Sequence, residues 1–319
     1  MLGTIRSDRT VQLVTVALLA LAATGLVFPA WVVNNLMFGL ARGVAVLGLL
    51  VLWRTGLMSF GHALYFGLGA YSVAMAEHWF GVTDFGLRIL VAMLIAATVG
   101  VLLGFILRRY RDIFFAMLSL AFSMVLYGVL VKTEALGSTD GFSVSQTTFL
   151  GWVPENKTPL FIAMALVCLC LAVMVQIYLR STLGRLTTAI RDNEIRVEYL
   201  GFSVSLAIHI KYVISAALAG AAGGLMAMAI GQVDPDSMVY WTVSGELVFI
   251  TIMAGSGSVL APFIGAIIFE FLRTYAFEFA PHAWQLIVGS ALLLIIFLLP
   301  GGIWSLLERV PFIKRLRHD

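Results

Sequence analysis

The sequence predicts an all-α polytopic membrane protein with about ten transmembrane helices and both termini in the cytoplasm, and three observations carry that class. Of 319 residues, 61% are hydrophobic and only 12% charged, with a mean hydropathy of +1.00. A soluble domain is nearer half apolar and a quarter charged, and a single core cannot hold this much apolar surface. Apolar runs of bilayer length recur along the chain, and the cations collect on alternate connections between them.

The runs lie at about 11–29, 36–53, 56–76, 87–107, 113–132, 160–179, 210–231, 243–258, 260–278 and 284–300. Continuous apolar character rather than alternation selects helices, which satisfy their own backbone in lipid. The first run follows Arg6 and Arg9 and has the outline of a signal peptide. Its 18 residues from Val11 to Phe28 exceed a usual signal core, and no small-x-small cleavage site follows. At about 1.5 Å per residue it reaches roughly 27 Å, so it reads as a retained span. Glycine interrupts or ends the third and eighth runs.

Charge orients the spans. With the N-terminus inside, the cytoplasmic side collects Arg6, Arg9, Arg54, Arg108, Arg109, Arg111, Arg180, Arg185, Arg191, Arg196, Lys211, Arg309, Lys314, Arg315 and Arg317, fifteen of the 20 cations. The outer loops hold mainly acids, among them Glu77, Asp84, Asp234, Asp236 and Glu278. This positive-inside distribution accounts for the pI of about 8.9 without a nucleic-acid partner. Two connections are long: an outer loop at 133–159 and an inner stretch at 180–209. The inner one predicts a helix from Gly184 to about Leu200. Ile190, Val197 and Leu200 recur there with helical spacing, while Arg191, Asp192, Asn193, Glu194 and Arg196 supply a polar face. Its mixed charges favour a protein partner over lipid headgroups.

Enzyme chemistry has little to work with. Cys168 and Cys170 stand two apart, do not share a helical face, and read as buried inert thiols. The five histidines form no metal-ligand pattern. No phosphate-binding G-x-x-x-x-G-K-[ST] occurs, so energy from ATP would have to arrive through a separate subunit. No nucleophile, base and metal set is clustered as a membrane-embedded enzyme needs.

Thr55 to Tyr71 is rich in glycine at membrane depth. Gly61, Gly67 and Gly69 read as close helix packing, and a locally unwound backbone beside a cavity is compatible with that. Gly220 and Gly224 form a G-x-x-x-G packing pair. Ser59, His62, Ser119, Ser123 and Glu246 are candidates for a translocation path, though a buried hydrogen bond is the favoured reading of His62. Ionisable groups in spans are functional candidates by default. Glu270 and Arg273, at i and i+3, are placed to neutralise each other. Arg42 lies one to two turns in from the outer side, within reach of snorkelling or of the path. Glu246 lies near the outer end of its span, close enough to reach water.

Several segments together resemble the permease subunits of branched-chain amino-acid ABC importers, of the LivM type. They are Gly56, Ser59, Gly61, His62, Ala63 and Gly67 to Tyr71; Phe115 to Phe122; Ser138-Thr-Asp-Gly141; Gly184-Arg185, Ala189 to Glu194 and Leu200-Gly201; Ser215 to Gly220 with Gly223; Gly255, Gly257, Pro262, Gly265 and Ala266; and Leu299-Pro300 with Gly302. Their order and spacing from about residue 40 to 307 is specific where no single piece is. The resemblance implies a single permease domain over 1–319 of the type II importer kind, in a bacterial inner membrane. It implies a homologous second permease, two cytoplasmic ATPases that carry the ATP and Mg, and a periplasmic binding protein, with no cofactor on this chain. Arg185, Ile190, Arg191, Asn193, Glu194 and Gly201 would be the ATPase contacts. Departures at Gly48-Leu-Leu50, Val197, Tyr199, Ala254 and Ala261 make the family a better guide to fold than to substrate. Amides, urea and small carboxylates stand beside amino acids. The alternative is an ion-coupled carrier using Glu246 and Glu270, or a channel.

Overall fold

The computed structural model describes residues 28–308 and six isolated positions between 12 and 25. Its helices are α1 (Ala30–Trp53), α2 (His62–Phe80), α3 (Phe85–Leu107), α4 (Asp112–Lys132), α5 (Thr158–Arg180), α6 (Thr182–Asp192), α7 (Glu194–Tyr199), α8 (Val204–Ile230), α9 (Pro235–Met238), α10 (Trp241–Ala254), α11 (Ala261–Phe279), α12 (Trp284–Leu298) and α13 (Trp304–Glu308). Two-residue strands β1 (Phe142–Ser143) and β2 (Gln232–Val233) pair antiparallel.

Six segments are long and apolar enough to cross a membrane: α1, α3, α4, α5, α8 and Pro235–Ala254. The 15-residue α12 is a shorter apolar helix. The 19-residue α2 and α11 complete the bundle and carry charge: Glu77 in one, and Glu270, Arg273 and Glu278 in the other. The protein is an all-α polytopic membrane protein. Most of the first apolar run, 11–29, falls outside the described residues.

α8 is the hub of the bundle, packed against α1, α2 and α3, with α11 laid on the far side of α1. The apolar window of α1 is 83% buried and that of α4 only 22%, so α4 presents Ile113, Phe114, Met117 and Val125 outward. Close approach at the hub depends on missing side chains. A Cβ on Gly69 would overlap the Gly220 carbonyl, one on Gly223 the Phe66 carbonyl, and one on Gly220 the Ala96 methyl. Gly224 faces Ala92 and Val73, Gly67 faces Val239, and Gly61 faces the Ser119 backbone. The G-x-x-x-G pair therefore packs within this chain.

Helix limits differ from the apolar runs where capping decides them. α1 begins at Ala30, six residues before its run, after Pro29. α8 begins at Val204, where the Ser203 hydroxyl accepts from the Leu206 N–H. α10 stops at Ala254 because Gly255 takes φ +85°, beside the Gly301 carbonyl, where a side chain has no room. The segment before α2 is unwound from Thr55 to Gly61, yet Leu57 and Ser59 there are buried by protein. The expected single helix from Gly184 to Leu200 is two. Asn193 leaves the helical region at φ −164°, ending α6, and its side-chain oxygen accepts from the Arg196 N–H to start α7. The break turns Leu200 outward at 70% exposure, although Ile190 and Val197 are buried as the spacing predicts. Cys168 is buried, but Cys170 is exposed. Lys211, counted with the inner loop by its charge, is fully buried inside α8.

The connections at one end of the bundle are tied by Arg88, itself fully buried. Its guanidinium donates to the Val82 and Ser145 carbonyls and the Thr147 hydroxyl, and pairs with Glu77 at 2.7 Å. The Glu77 carboxylate also accepts from the Ser145 N–H at 3.0 Å. Asp84 caps α3, and its carboxyl is held below the usual carboxylate range, first by the Leu150 N–H and then by those of Leu87 and Gly86. We expect Arg88→Leu to destabilise the protein by about 2–3 kcal/mol, because Glu77 and two carbonyls lose a buried donor. Thermal unfolding in detergent checks this, and faster proteolysis within 142–157 should accompany the loss.

Candidate functional site

A cavity of about 610 Å³ opens between α1, α8, α10, α11 and the start of α12. Five of its lining residues are charged: Arg42, Glu246, Glu270 and Arg273, with Asp236 at the rim. Arg42 sits midway along α1, three turns in rather than one or two, because the helix starts earlier than its apolar run. It does not snorkel. Its Nη2 lies 3.2 Å from Glu246 Oε2, its Nη1 pairs with Glu270 Oε1, and its Cζ stands 5.7 Å over the Phe269 ring.

The expected pairing of Glu270 with Arg273 along α11 is replaced by pairs across helices. Arg273 reaches Glu246 at 3.8 Å and lies 5.5 Å over the Trp284 ring. The cause is depth. Glu270 is a turn further into the packing, with 5% of its side chain exposed against 37% for Arg273. Arg42 is the cation that reaches it there. The four cross-paired charges sum to zero among themselves, the arrangement in which charge inside a membrane protein is tolerated, and Asp236 at the rim is a fifth.

Asn35 and Thr274 also line the cavity, with the Thr274 hydroxyl donating to Asn35 Oδ1 at 3.1 Å. Sequence reasoning missed both. The signal was present for Asn35, one of two adjacent amides in a strongly apolar run, and absent for Thr274. At the rim, Asp236 accepts from the Tyr127 hydroxyl at 2.7 Å, joining α4 to the α9 turn.

Of the path candidates, only Glu246 lines this cavity. His62 is fully buried, its Nε2 2.7 Å from the Ser215 hydroxyl, which donates to the Gly48 carbonyl at 2.6 Å. Ser59 accepts from the Gly61 N–H, Ser119 donates to the Ala116 carbonyl, and Ser123 to the Val239 carbonyl. All three serines are buried. His62 thus ties α2 to α8, Ser215 ties α8 to α1, and Ser123 ties α4 to the Val239 turn, while the bonds of Ser59 and Ser119 are local.

The contact candidates lie at the opposite end, on α6 and α7. Arg185, Arg191, Asn193 and Gly201 are exposed. Ile190 is only 2% exposed and packs with Leu52, Leu57, Phe115 and Val197 of this chain, so it supports the segment from behind. Glu194 is held at 2.6 Å by Arg111, which fixes α7 to the start of α4. The outward apolar residues are Ile195, Tyr199, Leu200 and Phe202.

Membrane-length helices around a charged cavity, with a short two-helix segment at one end, define a polytopic membrane protein with an internal polar site. The chain belongs to the family described as branched-chain amino acid transport system / permease component, whose model matches residues 31–297. It is similar to the high-affinity branched-chain amino acid transport system permease protein LivM of Escherichia coli (strain K12), at 29% identity, over 81% of this chain and 67% of the relative. LivM of Salmonella typhimurium (strain LT2) matches with the same identity and coverage. No solved structure matches the chain. The protein is a transport permease and a multi-pass protein of the bacterial inner membrane.

Proposed function

We propose that this chain forms half of the translocation path of an ATP-driven importer for branched-chain amino acids or related small polar solutes such as amides, urea or small carboxylates. The observation that carries the ATP-driven part is the α6–α7 segment. It is braced from behind by Ile190, Val197 and the Arg111–Glu194 pair, while Ile195, Tyr199, Leu200 and Phe202 face outward beside Arg185 and Arg191. Short apolar helices of this kind dock into grooves of partner proteins. Here the groove would belong to one of two cytoplasmic ATPases, which bind the ATP and Mg.

The proposal includes ten spans with both termini cytoplasmic, a coupling loop at 180–209, and a periplasmic loop at 133–159 facing a binding protein. It also includes a homologous second permease. The cation distribution supports the orientation. A carrier driven by Glu246 or Glu270 would need a carboxylate free to exchange its ion, and each is held by an arginine.

Affinity purification from native membranes should bring down two ATPases and a second permease; a chain that arrives alone and still moves solute in liposomes overturns the reading. In the reconstituted complex, we expect Arg191→Glu to lower uptake per ATP hydrolysed several-fold while insertion is unchanged. Unchanged transport by this variant would remove Arg191 from the contact.

A further inference from the structure

A second cavity, of about 350 Å³, lies among α2, α3 and α4 and shares no lining residue with the charged one. α3 and α4 both pack on α2 but scarcely on each other, which leaves a wedge between them. Leu68, Met75, Ile95, Leu126 and Leu130 wall it, and no charged side chain lines it. Ser72 turns its hydroxyl back onto the Gly69 carbonyl at 2.8 Å, and Tyr71 sets its ring edge-on to Phe142. The flanking helices are the long spans least covered by this chain, their apolar windows being 28% and 22% buried.

Size, depth and the character of the mouth say what fills the wedge. An α-helix is about 10 Å across with a pitch of about 5.4 Å, so 350 Å³ holds less than one turn of a partner's helix. A flexible hydrocarbon chain needs no such width. From Trp79 to Gly67 the wedge follows α2 for about 18 Å at about 1.5 Å per residue, close to half of a hydrocarbon core about 30 Å thick. At its mouth Trp79 and Phe80 are exposed. A few residues on, the Phe149–Trp152 turn is fastened to the start of α3. The Phe85 N–H donates to the Thr148 carbonyl at 2.9 Å, and Asp84 accepts from the Leu150 N–H at 2.8 Å. That turn holds out Trp152 and Leu150, the latter 98% exposed. Aromatic side chains gathered at one level of a helical bundle mark the membrane–water interface. The wedge therefore runs from an interface to about the depth of one leaflet.

We propose that this wedge binds a membrane phospholipid from the leaflet on the side of the 133–159 loop. One acyl chain lies between α3 and α4 against α2, and the headgroup sits at the level of Trp79, Phe80 and Trp152. The chain braces α4, because an empty wedge forfeits the dispersion contacts of every residue that lines it. The inference needs only a membrane-spanning bundle and is independent of the importer reading.

The test places the full chain in nanodiscs of phosphatidylethanolamine and phosphatidylglycerol, with a trace of phosphatidylethanolamine carrying a diazirine midway along one acyl chain. After photolysis, labelled residues are mapped by mass spectrometry. Met75 and Leu126 should label several-fold more than Leu94 and Leu102, which are more exposed but lie outside the wedge. Ile95→Trp and Leu126→Trp, which fill the wedge, should each lower labelling of Met75 several-fold, whereas Leu94→Trp should leave it unchanged. Labelling of Met75 no stronger than that of Leu94 would mean that only bulk lipid is present, and would overturn the site. Protection of Met75 in the purified multi-subunit assembly, against strong labelling in the lone chain, would make the wedge a protein interface and overturn it equally. The map of the unaltered chain decides the matter even where a filled variant fails to fold. Phospholipid added back to delipidated protein should raise Tm more in the unaltered chain than in Ile95→Trp, and an equal rise would remove the bracing role.

Discussion

Gly69→Val is expected to abolish accumulation of folded permease. α2 and α8 cross there backbone against backbone: a Cβ at Gly69 would overlap the Gly220 carbonyl oxygen and stand 2.6 Å from its carbon and 2.7 Å from its Cα. No side-chain rotation relieves that overlap, so the helices must separate. Separation also breaks the Gly223 contact with the Phe66 carbonyl and disturbs the His62–Ser215 bond on the same pair of helices. Overpacking in a core costs about 1–3 kcal/mol when side chains can adjust, and more when backbone must move. Against a total stability of about 5–15 kcal/mol, a displaced hub helix leaves little. Gly128→Val and Gly289→Val are the controls, since a Cβ at either meets nothing within 4 Å. Yield and monodispersity after detergent extraction report the outcome. A Gly69→Val protein that matches the controls would show that the α2–α8 crossing is not close.

Arg42→Met is expected to destabilise the protein by about 3–5 kcal/mol, the usual cost of removing one partner from a buried ion pair. Arg42 is the ion-pair partner of Glu270 and also contacts Glu246, so its loss leaves the more buried carboxylate without that partner. Combining Arg42→Met with Glu270→Gln should restore part of the lost stability, because the orphaned charge is then gone. Thermal unfolding of the single and double variants in one detergent checks both statements. Equal stability of Arg42→Met and the unaltered protein would mean that the quartet holds nothing together.

Hydrophobicity is a local and nearly additive property, so the chain announces its membrane character and nine helical segments to within several residues wherever an apolar run is long. The Asn193 break has a local cause in an asparagine able to cap α7, although an uninterrupted periodicity concealed it. Signs of charge along the loops are equally local, and they supply an orientation without reference to packing. Partnership is another matter. Glu270 has Arg273 one turn away in the chain and still pairs with Arg42, because helix rotation and depth place one arginine at the floor and the other at the rim. His62 meets Ser215, and Gly69 meets Gly220, through the crossing of α2 with α8, which no spacing within either helix encodes. Composition and periodicity by themselves determined a polytopic helical membrane protein. The tertiary structure decided which charges share a cavity, because in an apolar bundle an ion takes the partner that geometry brings within reach.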